Sequence, residues 1–200
     1  QYFEHCGIFD VPALAAHCVW CEDADFDILK EKGVTAATNP VSNLKLASGI
    51  AQVSEMINRG IRVAIGTDSV ASNNNLSFFE EMKTFAILAK TKTMDPTVVT
   101  PKEALKAATV NGALAQGRYD CGVIEEGNKA DFIVLRTDVP NMHPVHNMLN
   151  NIVYSACDAD IAMTVADGKI LYKDGEYTTI DIEKTIFEAE AATKEILKQL

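Results

Sequence analysis

The chain has few of the features that mark membrane, nucleic-acid or disulfide-scaffold proteins. No run of its 200 residues approaches the roughly 18 uninterrupted apolar positions that a membrane-crossing helix needs. Basic residues are scarce: 18 Lys and Arg against 28 Asp and Glu leave a net charge of -10. That field repels phosphate backbones and anionic lipids, so neither nucleic acid nor a membrane is expected as a partner. The opening Gln1-Tyr2-Phe3-Glu4-His5 lacks the basic start and apolar core of a secretory signal. A first residue other than Met predicts that something precedes it. Cys6, Cys18, Cys21, Cys121 and Cys157 make a single C-x-x-C and no second pair, so a zinc knuckle lacks two ligands. Free, mostly buried thiols in a reducing cytoplasm are expected.

What is present is ordinary globular material, 48% apolar and 23% charged, which excludes disorder and collagen-like repeats. The first half alternates strand-like and helix-like stretches. Strands are expected over residues 13–19, 34–38 and 61–67, with amphipathic helices over 23–32 and 50–59 between them. Strand–helix alternation of this kind predicts a parallel α/β sheet. A polar loop over 68–75 precedes an apolar-faced helix from about residue 76 to 91. Thr100-Pro101-Lys102-Glu103 is a capping box with Pro at the first helical position, and Asn111-Gly112 is expected to break the helix it starts. Beyond Gly117 the texture becomes β-rich: a strand over 131–135, then runs over 161–166 and 169–172 flanking Asp167-Gly168, a hairpin signal. A striped helix closes the chain over 181–200. Boundaries near residues 118 and 180 divide an α/β part (1–118) from β strands (119–180) and a terminal helix (181–200).

Four histidines limit the chemistry: His5, His17, His143 and His146. His17 stands at the carboxyl end of the first expected strand, the edge where reacting groups gather in parallel α/β architectures. Asp68 follows Ile65-Gly66-Thr67 and occupies the same end of another. A carboxylate and an imidazole at one rim can bind a divalent metal or exchange protons with bound water. Each also has a plainer reading, His17 as a hydrogen-bonded structural residue and Asp68 as the turn acid of a polar loop. His143 and His146 read as a surface loop. Ser69 and Ser72 have no nearby histidine in sequence, which argues against a serine hydrolase. A thiol enzyme using Cys18 is disfavoured because neighbouring strand residues face opposite sides.

Ala16-His17-Cys18-Val19, Asn39-Pro40-Val41-Ser42-Asn43-Leu44-Lys45-Leu46, and Gly66-Thr67-Asp68 with Ala71-Ser72-Asn73-Asn74 resemble the amidohydrolase superfamily. Within it they resemble the branch of S-adenosylhomocysteine/5'-methylthioadenosine deaminases and triazine chlorohydrolases. Residues 122–131 and 164–169 are similar to strands of that family's small β-sandwich. The resemblance implies a metal-dependent (β/α)8 barrel, with His17 closing the sixth strand and Asp68 the eighth. It implies Asp68 as a ligand of Zn or another divalent metal and as proton shuttle. It implies His17 as the group that steadies the oxygen of a tetrahedral intermediate. The substrate implied is a purine-like or triazine-like ring that loses an amino group or chlorine.

The departures from the family pattern are also legible. Its His-x-His and its later metal-binding histidine have no counterpart here, Trp20 stands where many members carry a second histidine, and Thr38 stands where one often precedes Asn-Pro. The chain therefore looks like a carboxyl-terminal half, about strands six to eight with later sandwich strands, and inactivity of this piece alone is expected. Exposed strand edges predict self-association or pairing with another segment. The competing reading is a non-catalytic structural or interaction fragment that keeps the fold.

Overall fold

The computed structural model describes residues 1–199. A first helix, α1 (Tyr2–His5), leads to β1 (Leu14–Ala16), α2 (Asp23–Glu31) and β2 (Thr35–Thr38). Then come α3 (Pro40–Lys45), α4 (Val53–Asn58) and β3 (Val63–Ile65). The three strands form a parallel sheet in the order β1-β2-β3, with Ala15 opposite Ala36 and Ala37 opposite Ala64. Residues of α2 and α4 supply the inward apolar side chains, Phe26, Leu29, Val53 and Met56, all buried. The Arg59 guanidinium lies over the Phe26 ring, 5.1 Å from its centroid, and seals that packing at the surface.

After β3 a short α5 (Val70–Asn73) precedes the long α6 (Phe78–Thr93), then α7 (Pro101–Ala108) and α8 (Val110–Ala115). Thr100 and Glu103 cap α7 reciprocally, as the motif predicts. The break falls at Thr109 (φ −122°, ψ −89°) instead of at Asn111-Gly112. The reason is a tertiary contact: the Asn111 carboxamide donates to the Val63 carbonyl at 2.7 Å, which satisfies part of the outer edge of β3. Helix α6 is the central element of the core, burying Phe79, Met82, Phe85, Ala86 and Ala89.

The β-rich region forms a separate antiparallel sheet, β4 (Phe132–Leu135), β5 (Ile161–Ala166), β6 (Lys169–Lys173) and β7 (Glu176–Tyr177), with α9 (Met148–Tyr154) inserted between β4 and β5. Asp167 and Gly168 both take left-handed backbone angles (φ 49° and 74°), the twist that closes a tight hairpin. The last helix, α10 (Ile182–Leu197), begins at an Asp181 side-chain cap and buries none of its residues, so its apolar stripe of Ile186, Phe187 and Leu197 faces outward. Leu200, the last residue of the expected helix, lies outside the described residues.

Two local expectations need correction, the helix start at residue 50 and the burial of the thiols. Residues 50–52 are not helical, because Gln52 turns its side chain to the Cys21 carbonyl and α4 starts only at Val53. Asn39-Pro40 follows directly on the end of β2 and also opens α3, with Pro40 at the first helical position. Of the five thiols only Cys18 is buried; Cys6 and Cys157 are exposed.

Candidate active site

His17 and Asp68 sit immediately beyond the carboxyl ends of β1 and β3. The parallel ladder runs on past each strand: His17 N–H donates to the Ala37 carbonyl at 2.7 Å, and Gly66 N–H to the Thr38 carbonyl at 2.9 Å. Both residues then turn sharply out of the sheet, with left-handed φ of 66° at His17, 49° at Cys18 and 60° at Asp68. Backbone strain of this kind at non-glycine residues gathers where the surroundings over-determine a side chain's aim. The turn also corrects the expected strand over 13–19, which ends at Ala16, so His17 and Cys18 are not alternating strand residues. The result is an imidazole Nε2 3.9 Å from Asp68 Oδ2, with both side chains partly open to solvent.

The segment between those two strands, at the start of α3, holds the pair in place. Ser42 donates its hydroxyl to Asp68 Oδ2 at 2.6 Å, and Ser69 N–H donates to Oδ1 at 2.8 Å. The Ser42 hydroxyl above all, with Ser72 and the Ser69 amide, holds the Asp68 carboxyl below the usual carboxylate range, and His17 adds to this. His17 Nδ1 has a partner for either of its states. When it carries a hydrogen it donates to Asn43 Oδ1 at 2.8 Å; when bare it accepts from Asn39 Nδ2 at 3.2 Å. In the second state a neutral ring keeps its hydrogen on Nε2, aimed toward Asp68 and the space beside it.

Gly66 is required by this arrangement, since a Cβ there would overlap Asn39 Oδ1. Trp20 stands at the rim, largely exposed, with its indole N–H donating to the Ser48 carbonyl at 2.9 Å. Beneath the Asp68 turn lies a buried carboxyl, Glu81, whose Oε1 accepts from Asn73 Nδ2 at 2.6 Å and whose Oε2 accepts from Val41 N–H at 3.2 Å. Burial pushes the Glu81 carboxyl up despite those two donors. Asn39, Ser42 and Asn43 stand in a motif visible in the sequence, although their spacing does not by itself assign them to His17 and Asp68. Glu81 leaves a clearer signal: it interrupts the apolar face of α6, three residues after Phe78 and four before Phe85.

The other expected positions lie apart. His5 is exposed at the end of α1, and His143 and His146 are exposed in the segment before α9. Ser69 and Ser72 face each other at 3.5 Å. Asp68 suits a divalent metal as one oxygen ligand, because an ionised carboxylate has about four lone-pair sites and its protein donors do not use them all. Among the described residues no three of His, Cys, Asp and Glu form a group able to hold a metal, so further ligands would have to come from elsewhere.

A carboxylate and an imidazole thus converge beyond the carboxyl ends of parallel strands in an α/β fold, two groups of the types that acid–base chemistry uses. The family model of the amidohydrolase family matches residues 1–171. The chain belongs to the amidohydrolase family. It is 45% identical over 199 residues to a 5-methylthioadenosine/S-adenosylhomocysteine deaminase of Dictyoglomus thermophilum, covering 100% of this chain and 47% of that protein. It is 45% identical to a 5'-deoxyadenosine deaminase of Methanosarcina mazei, covering 97% of this chain and 45% of the relative. The chain thus spans about half the length of the curated relatives it matches.

Among solved structures, an adenosine deaminase of Xanthomonas campestris with bound zinc superposes with a TM-score of 0.90 at 33% identity, over 92% of this chain and 42% of that one. An atrazine chlorohydrolase of Arthrobacter aurescens, complexed with zinc, gives 0.80 at 26% identity, over 89% and 40%.

Proposed function

We propose that this polypeptide forms part of the active site of a zinc-dependent hydrolase that removes an amino group from the purine ring of a nucleoside-type substrate. One observation carries the reading: His17 Nε2 and Asp68 Oδ2, brought by different strands, face each other at 3.9 Å beyond one end of a parallel sheet. The relatives at 45% identity, named deaminases, favour loss of an amino group over loss of chlorine.

In this reading β1, β2 and β3 are the sixth to eighth strands of a barrel, within residues 1–118. Residues 119–180 supply β-sandwich strands and 181–200 a carboxyl-terminal helix. The edge of β1, where Leu14 is exposed, pairs with further strands of a longer protein or with a second copy. A cytoplasmic setting suits five unbridged thiols.

Asp68, ionised well into the acid range, takes the proton of the water that attacks the ring carbon and delivers it to the departing amine as the carbon–nitrogen bond breaks. His17 Nε2–H donates to the attacking oxygen and holds it in place through the tetrahedral intermediate, while Asn39 keeps Nδ1 as acceptor. A divalent metal ligated by Asp68 would supply acidity to the water. The 200-residue chain alone is expected to be inactive, since one carboxylate and one imidazole hold a catalytic metal poorly.

The test is ammonia release from adenine nucleosides, with metal analysis, run on this chain and on the protein at its relatives' length. Activity of the longer form alone supports the reading. No release from the longer form with zinc bound favours the structural fragment instead.

A further inference from the structure

Glu81 is 1% exposed in the middle of the apolar face of α6, a position where a side chain of similar size without charge would cost less to bury. Its two oxygens reach two different segments. Oε2 accepts the Val41 amide of α3 at 3.2 Å. That amide needs an outside partner because Asn39, the residue at the capping position, makes no cap bond and directs its carboxamide to His17 instead. Oε1 accepts from Asn73 Nδ2 at 2.6 Å, and the same Nδ2 donates to the Thr67 carbonyl, also at 2.6 Å, next to Asp68. Asn73 is oriented for donation at the expense of its own Oδ1, which is buried without a partner.

We infer that Glu81 is a positioning residue: it holds the start of α3 with one oxygen and the Asp68 turn with the other, and so sets the separation of His17 and Asp68. Helix α3 carries Asn39 and Asn43 to His17 and Ser42 to Asp68. A shift of either arm therefore moves both partners. The inference rests on the reading that His17 and Asp68 act together. An amide in place of the carboxylate has one acceptor oxygen for two donors, so Glu81→Gln must release either Val41 or Asn73.

The experiment follows Val41 amide hydrogen exchange and the imidazole nitrogen resonances of His17 in the 200-residue chain, the latter assigned by their loss in His17→Gln. In Glu81→Gln, either Val41 exchange quickens about tenfold or the Asn73 arm opens; both move the His17 nitrogens. Phe85→Leu, a packing change one turn along the same helix, is the control and should leave both readouts in place. If Glu81→Gln fails to fold, Asn73→Ala cuts only the arm to Thr67; it should move the His17 Nε2 resonance and leave Val41 protected. His17 resonances that stay put in the folded variant, or that move as far in Phe85→Leu, overturn the inference. Neither readout needs turnover, so a failed deaminase assay and a failed positioning role remain separate results.

Discussion

His17 Nε2 faces Asp68 Oδ2 at 3.9 Å, and the side chains that address both members of the pair lie on the intervening α3 segment. Asn39 and Asn43 address the imidazole from one side, and Ser42 addresses the carboxylate. The pair is therefore a product of the α3 segment and of the strained turns that follow β1 and β3.

Gly66→Ala tests the Asn39 contact. The new methyl group overlaps the Asn39 carboxamide oxygen, so Asn39 must leave His17 or the end of β3 must shift. A loss of about 1–3 kcal/mol in chemical denaturation is expected, together with a changed His17 Nδ1 resonance. Unaltered stability and an unaltered resonance would contradict the close approach.

Ser42 and Asp68 should be energetically coupled. A double-mutant cycle with Ser42→Ala and Asp68→Ala is expected to give an interaction of about 0.5–3 kcal/mol in urea unfolding. Strict additivity would show that the hydroxyl does not hold the carboxylate.

Much of this was legible before any coordinates. The three strand–helix passages, the α7 capping box and the Asp167-Gly168 hairpin depend on local periodicity and turn chemistry, which neighbouring residues encode. His17 and Asp68 could be placed at strand ends for the same reason. The Glu81 network was not legible, because it joins Val41, Asn73 and Thr67 through space, and only the charge on an apolar helix face hinted at it. The break at Thr109 was missed because a distant partner, the Val63 carbonyl, claims Asn111. The stripe of α10 was legible as periodicity, and none of its described residues is buried.

Asp160 supplies a pH dependence. Burial alone would raise its carboxyl, but the Cys157 amide at 2.9 Å and Asn141 Nδ2 at 2.7 Å outweigh it and hold the group below the usual carboxylate range. A lowered folded value means stability that is fully present above the unfolded value and lost as pH falls through the folded one. Asp160→Asn keeps an acceptor but cannot titrate. Its stability deficit should therefore narrow as the medium is acidified through that window, and a deficit constant with pH would contradict the assignment.

The C-x-x-C pair should react unequally. Hydrogen bonding of the Cys18 S–H to Cys21, followed by burial, pushes the Cys18 thiol up, while the same interaction pulls Cys21 down. Iodoacetamide at neutral pH is expected to label Cys21 well before Cys18, read by peptide mass mapping. Faster labelling of Cys18 would revive it as a nucleophile.

The most direct measurement is steady-state ammonia release from an adenine nucleoside by the protein at the length of its deaminase relatives, comparing Asp68→Asn and His17→Asn with the unaltered sequence. Asp68→Asn is expected to lose bound metal and turnover together. His17→Asn is expected to lower kcat by about 10²–10⁴ with far less effect on KM. Full activity with metal retained in Asp68→Asn, or an unchanged kcat in His17→Asn, would contradict the account.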